Sequence, residues 1–189
     1  MTRSGPGLRS ARQLLLDGPH LIGEALDAGL RLQHLLVAAD AVGRPEIATL
    51  IERVDDRVVQ VATGTAPVMD AASPVQSASG AVALATRPLS ARSLFDAPAP
   101  IIVVASDVQD PGNVGAIIRV AEAAGASGVV VAGQCADPFG WKALRGSMGS
   151  ALRLPIATFP TLADAVARTL AALPASIAPP DADPAPTIE

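Results

Sequence analysis

The stretch from Ile101 to Ala132 constrains this chain most. It opens with Ile101–Ala105, a continuous apolar run of the kind found in strands buried on both faces of a parallel sheet. The loop Asp107–Asn113 follows, dense in turn-forming residues. A helix is expected from about Val114 to Ala124, because Val114, Ile117, Ile118 and Ala121 recur at i, i+3, i+4 and i+7. Gly125 ends that helix, and Gly128–Ala132 reads as a second buried strand. Strand, loop, helix and strand make one βαβ unit with a right-handed crossover. In sheets of this kind ligands sit beyond the carboxyl ends of the strands, where loops enter helix N-termini.

The flanking sequence extends the same alternation. Gln13–Leu16 is a short apolar run, and Gly18-Pro19 opens a helical stretch with Leu21, Ile22, Ala25 and Leu26. Strands are expected at Leu32–Ala38, Val58–Val61 and Ala81–Ala85, with helices at Pro45–Val54 and Ala66–Ala72. The pattern predicts an α/β unit over 11–87 with a parallel or mixed sheet. Residues 88–100 have a linker's composition, rich in Pro, Ala and Ser. After the βαβ unit come a helix over Lys142–Gly149, a short strand at Leu154–Ile156 and a helix over Thr161–Leu173, closing a second unit at 101–173. The proline-rich segment 174–189 is expected to be a disordered tail.

Composition narrows the function classes. Aromatic residues make up 2% of the 189 positions, which excludes a sheet that stacks single-stranded RNA on several exposed rings. The net charge of −4 argues against a protein that binds nucleic acid through bulk charge. Locally the balance reverses: between Pro138 and Pro160 the chain holds Lys142, Arg145 and Arg153 and no acid. A single cysteine, Cys135, permits no internal disulfide and fits a reducing cytoplasm, where a soluble chain is expected. Cys135 itself is expected to be a buried small hydrophobe, and His20 and His34 structural. No cluster of ligating side chains suggests a metal. Neither GxGxxG nor GxxxxGK[ST] occurs, so a nucleotide-binding or redox α/β protein is disfavoured.

Two segments carry the chemistry. In the loop and helix after Ala105, Gly112 allows close backbone approach and the helix start at Asn113–Gly115 presents free N–H groups. On pattern alone a turn with an asparagine N-cap is favoured over a ligand site, and a solvated or snorkelling side chain is favoured for Arg119. Six residues give a net rotation of about 240°, so Asn113 and Arg119 do not stack on one helix face, but they converge if Asn113 precedes the first turn. Taken together, D-V-Q-D-P-G-N-V-G-A-I-I-R-V-A-E-A-A-G-A (Asp107–Ala126) resembles the first motif of the SpoU/TrmH family of SPOUT RNA ribose methyltransferases. W-K-A-L-R-G-S-M-G-S-A-L-R-L-P-I (Trp141–Ile156) resembles the second conserved stretch of that family, around an R-x-S-x-G core. More loosely, G-P-H-L-I-G-E-A-L (18–26) is similar to its small N-terminal substrate-binding domain.

The resemblance implies transfer of a methyl group from S-adenosylmethionine to a ribose 2′-OH of tRNA or rRNA. It implies that Arg119 acts on the 2′-OH and that Asn113 positions the ribose. The hydroxyl is a poor nucleophile that must lose its proton as the methyl arrives. A guanidinium with a pKa above about 12 is a poor base, so stabilising the developing alkoxide is the simpler role. Lys142, Arg145 and Arg153 become RNA phosphate contacts, with a solvated basic face as the alternative. Ser147 either donates to RNA or caps backbone groups locally, and Trp141 either stacks on a base or fills a core edge.

The sequence departs from the family where the methyl-donor site should form. The G-x-E-x-x-G and S-L-N-V-S-V-A stretches of the C-terminal trefoil knot are not found, so the cofactor-binding residues have no positions to map onto. The expectation is therefore an incomplete SPOUT-type parallel α/β domain, from a truncated or frameshifted family member inactive as it stands. The family's homodimer surface, which the knot usually provides, would be lost as well, and an apolar edge and face of the second unit would be exposed. The alternative is a non-catalytic RNA-binding module built from the N-terminal unit and the basic patch.

Overall fold

The structure is a computed structural model that describes residues 13–54, 58–75, 79–88, 94 and 98–172. The segment 174–189 and the first residues of the unit at 11–87 lie outside the described residues.

Strands β1 (Gln13–Asp17), β2 (Leu32–Ala38), β3 (Gln60–Gly64) and β4 (Ala81–Thr86) form one sheet in the order β1-β4-β2-β3. β4 is antiparallel to both of its neighbours, and β2 is parallel to β3, so the sheet is mixed. Helices α1 (Pro19–Asp27), α2 (Pro45–Glu52) and α3 (Ala66–Ala72) alternate with these strands, each with proline in its first turn. Proline is tolerated there because its missing N–H would have no intrahelical partner. The strand expected at Val58–Val61 begins two residues later, since Val58 is largely exposed and outside the ladder.

The second sheet contains β5 (Ile102–Ser106), β6 (Gly128–Ala132) and β7 (Ile156–Phe159), all parallel, in the order β5-β6-β7. Every residue of β6 is buried, as its unbroken apolar run requires of a central strand. Helix α4 (Pro111–Ala123) makes the crossover from β5 to β6. The helix expected over Lys142–Gly149 is instead two helices, α5 (Trp141–Ser147) and α6 (Ser150–Arg153). Met148 and Gly149 between them are both left-handed, which breaks the helix. β7 starts at Ile156, where that strand was expected to end, and α7 (Leu162–Ala172) follows it.

The two sheets share a core. Leu14 and Leu16 of β1 and Ile22 of α1 belong to the same buried cluster as Val114, Ile118 and Leu144. A second, smaller cluster joins Leu94, Val130, Ala132, Ala157 and Ala165. Leu94 lies within the segment read as a linker, yet it is fully buried, and a Cβ on Gly128 would run into its side chain. The apolar exposure expected of the second unit is visible among the described residues. Val104 on the edge strand β5 is 44% exposed, and Leu162, Val166 and Leu170 on α7 are exposed as well.

Two polar clasps also join the sheets. Arg153 of α6 pairs through Nε and one terminal nitrogen with both oxygens of Glu122 on α4, each at 2.8 Å, and its other nitrogen pairs with Glu24 on α1. Arg87, just after β4, grips Asp137 at 2.9 and 3.2 Å and lies 4.5 Å over the Phe139 ring. Among the described residues no helix is long and apolar enough to cross a membrane, and no group of side chains can hold a metal ion.

Candidate nucleic-acid interface

The candidate site is built at the carboxyl ends of β5 and β6. Asp107 leaves β5 in a left-handed conformation (φ 57°), which aspartate tolerates better than most residues. Its carboxylate accepts the Gln134 N–H at 2.8 Å and the Ser106 hydroxyl at 2.9 Å. The Gln134 amide and then the Ser106 hydroxyl hold its pKa below the ordinary carboxylate value. Gly133 faces this carboxylate so closely that a Cβ would lie 2.4 Å from Asp107 Oδ1. Cys135 ties the same two loops together: its sulfur accepts the Val108 N–H at 3.2 Å and faces the Ala132 carbonyl at 3.1 Å. It is half-buried and hydrogen-bonded, not the buried hydrophobe expected from sequence. His20 and His34 are both exposed.

Helix α4 starts three residues earlier than its apolar stripe implied. Asp110, not Asn113, is the N-cap, and its carboxylate accepts the Asn113 N–H at 2.8 Å. Pro111 fills the first helical position. Asn113 is therefore inside the helix, and the loop placement that would let it converge on Arg119 is not adopted. Both residues are exposed, on different faces, separated by about 9 Å of axial rise. Any convergence rests on the length of the Arg119 side chain.

What the two motifs do share is a backbone-to-backbone helix crossing. A Cβ on Gly115 of α4 would lie 2.4 Å from the Ala143 carbonyl oxygen and 2.8 Å from the Ser147 nitrogen. A Cβ on Gly146 would lie 3.1 Å from the Gly112 oxygen. These glycines let α4 and α5 touch without intervening side chains. The crossing sets Arg145, next to Gly146, beside the start of α4, close in the chain to Asn113. Arg119 is one turn beyond Gly115 and so on the same side of α4. Sequence reasoning took Gly112 as a place for ligand approach; the spacing of Gly112 and Gly115 against Gly146 was a signal for helix packing that it missed.

The remaining site residues separate into two groups. Lys142 and Arg145 are exposed, and with Arg119 they take part in no ion pair among the described residues. The Lys142 ammonium lies 5.5 Å from the centre of the half-buried Trp141 ring. Ser147 is fully buried; its hydroxyl donates to the Leu144 carbonyl at 2.9 Å and accepts the Ala151 N–H at 3.4 Å. That is the local cap, and it leaves no surface for RNA. Arg153 is held by Glu122 and Glu24, so its guanidinium is neutralised by the fold.

A bound methyl donor needs free polar partners and an apolar slot. At the carboxyl ends of β5 and β6 the polar partners already serve the loops: Asp107 holds Gln134, Asp110 caps α4, and Cys135 bonds Val108. The polar side chains described there are engaged within the fold and do not by themselves fit the cofactor.

Residues 100–182 match the SpoU rRNA Methylase family. Across 150 residues the chain is 33% identical to a mitochondrial rRNA methyltransferase 3B from Danio rerio, covering 76% of this chain and 32% of that protein. It is 31% identical over 144 residues to the 23S rRNA (guanosine(2553)-2′-O)-methyltransferase RlmP of Bacillus subtilis, covering 75% of this chain and 52% of that one. Among solved structures, the SpoU methyltransferase AviRb from Streptomyces viridochromogenes in complex with AdoMet superposes with a TM-score of 0.74 at 26% identity, covering 85% of this chain and 62% of that one. The AdoMet-bound rRNA methyltransferase from Sinorhizobium meliloti gives 0.71 at 28% identity, covering 86% and 59%. The chain thus spans about a third to a half of these curated relatives.

Proposed function

From the match of residues 100–182 to the SpoU rRNA Methylase family we propose that this chain belongs to that family and serves S-adenosylmethionine-dependent 2′-O-methylation of ribose in rRNA or tRNA, as the RNA-facing part of the site. The observation that carries this reading is the set of three exposed cations, Arg119, Lys142 and Arg145, gathered on α4 and α5 with no acidic partner among the described residues. An unneutralised cluster on an acidic chain favours a polyanion at that place. Arg119 is assigned to the 2′-oxygen, where a permanent positive charge lowers the cost of the alkoxide character that develops as the hydroxyl proton passes to solvent. Asn113, on another face of α4, is assigned to a neighbouring group of the same strand. Lys142 and Arg145 are assigned to phosphates. When bound, S-adenosylmethionine supplies the methyl group.

The engagement of Asp107, Asp110 and Cys135 in the fold at the strand ends supports a second statement: this chain by itself transfers little or no methyl, and binds RNA as a module. The lone thiol, with no disulfide possible, supports a cytoplasmic setting.

The test measures anisotropy of a labelled 23S rRNA transcript between about 50 and 200 mM salt. Binding should weaken with salt, and Lys142→Ala and Arg145→Ala, which remove the residues assigned to phosphates, should each reduce the log–log slope by about one. Calorimetry with S-adenosylmethionine should show no heat. Turnover of radiolabelled methyl by this chain, abolished in Arg119→Ala, would refute the inactive reading, and salt-independent or absent RNA binding would refute the RNA reading.

A further inference from the structure

Met148 occupies a position whose backbone favours glycine. It is left-handed (φ 50°, ψ 44°) and ends α5, with its N–H bonded to the Arg145 carbonyl at 3.1 Å. A left-handed residue with a Cβ is strained, and glycine would relieve that strain. The side chain is also 50% exposed. A single exposed apolar residue needs no explanation, and a left-handed turn is a common helix ending. The combination of the two, at this place, is what calls for one.

The place is set by the neighbours. Ser147 on one side is fully buried, its nitrogen pressed against Gly115 of α4. Gly149 on the other side abuts Glu24, whose side-chain carbons and oxygen would lie 2.8–2.9 Å from a Cβ there. The backbone is therefore held on both sides of Met148. The chain from Ser147 to Arg153 runs along α4 from Gly115 toward Glu122. Arg119 lies between those two residues on the same side of the helix. Met148 thus belongs to the segment that runs along the Gly115–Glu122 side of α4, the side that also carries Arg119; Met148 is apolar and exposed, Arg119 cationic and exposed.

We propose that Met148 is a substrate-contacting residue that supports the base of the RNA nucleoside whose ribose faces Arg119. This rests on the RNA reading above. A thioether on an unbranched, polarizable stem packs well on an aromatic ring edge or face and accepts different bases. The held backbone presents it without further ordering.

The test pairs RNA binding with stability. Met148→Gly removes the side chain and the strain together, so its melting temperature should equal or exceed that of the unaltered chain. Its affinity for the labelled 23S rRNA transcript should nevertheless fall by roughly three- to tenfold. Met148→Gln keeps the length and the strain, and should fold while losing affinity similarly. If the unaltered chain binds RNA in a salt-dependent way and both variants bind as tightly, the assignment of Met148 is overturned and the RNA reading stands. If the unaltered chain shows no such binding, the RNA reading falls and Met148 with it.

Discussion

Replacing Gly115 with alanine sets two physical effects against each other. Within a helix, alanine is favoured over glycine by roughly 0.5–1 kcal/mol, so α4 alone would gain. Against this, the new Cβ would lie 2.4 Å from the Ala143 oxygen, 2.8 Å from the Ser147 nitrogen and 2.9 Å from the Gly146 carbonyl carbon. All three are backbone atoms, so no rotamer change relieves them. Restoring ordinary contact distance requires α5 to move by about 1 Å from α4. A gap of that size forfeits roughly a quarter to a half of the dispersion energy along the seam. That seam buries Val114, Ile118, Ala121, Ala143, Leu144 and Ala151. Overpacking costs in cores run to about 1–3 kcal/mol, and a rigid backbone obstacle belongs at the upper end. After the helix gain is subtracted, Gly115→Ala should destabilise by about 2 kcal/mol. For a chain of this size that lowers the melting temperature by roughly 4–8 °C in a thermal scan. Gly43→Ala is the control, because Gly43 has open space around its Cβ position and no positive φ; it should stay within about 0.5 kcal/mol of the unaltered chain. A Gly115→Ala protein as stable as the unaltered one would show that the α4–α5 crossing is not as close as described.

Three further outcomes follow from the same contacts. Arg153 and Glu122 are each about a third exposed, so a double-mutant cycle with Arg153→Met and Glu122→Gln should give a coupling of about 1 kcal/mol or less that shrinks in 1 M salt. Since the guanidinium is already paired, Arg153→Met should leave RNA affinity nearly unchanged, which a phosphate contact would not. The lowered pKa of Asp107 means that the folded state favours its ionised form. The order this lends to the loop at Gln134 should be full above about pH 4, the unfolded value, and be lost as pH falls through the lower folded value. Protection of the Gln134 amide, its exchange rate relative to the intrinsic rate at each pH, should follow that titration, and Asp107→Asn should make the protection independent of pH in this range. Finally, Ala165 is the one buried residue among the described side chains of α7, so amides of α7 should exchange faster than those of α4; equal protection would contradict the described packing.

The linear order of strands and helices was largely legible, because period and punctuation are local properties. The runs at Leu32–Ala38, Ala81–Ala85 and Gly128–Ala132 and the helices opened by proline appear close to where their patterns place them. The errors fall where a neighbour in space decides. Asp110 caps α4 because its carboxylate reaches the Asn113 N–H, and a stripe of apolar residues further on carries no trace of that bond. Helices α5 and α6 read as one because R-G-S-M-G has no proline; their separation is a backbone reversal held by Gly115 on one side and Glu24 on the other. Leu94 passed for linker because one leucine among prolines and alanines has no period.

For the site, the residue types were readable and their employment was not. A sequence shows that Lys142, Arg145 and Arg153 are cations without nearby acids in the chain. It does not show that Glu24 and Glu122, distant in sequence, fold back onto Arg153 and leave Lys142 and Arg145 unpaired among the described residues. Likewise a serine in R-G-S-M-G is equally a donor to RNA or a cap until its burial is known, and only the crossing of α4 over α5 buries it. Local spacing by itself determined the α/β class and the two motif segments, because hydrophobic period and turn chemistry act over a few residues. Which of the charged and polar groups remain available to a partner was decided by the tertiary structure alone, because pairing and burial depend on contacts between residues far apart in the chain.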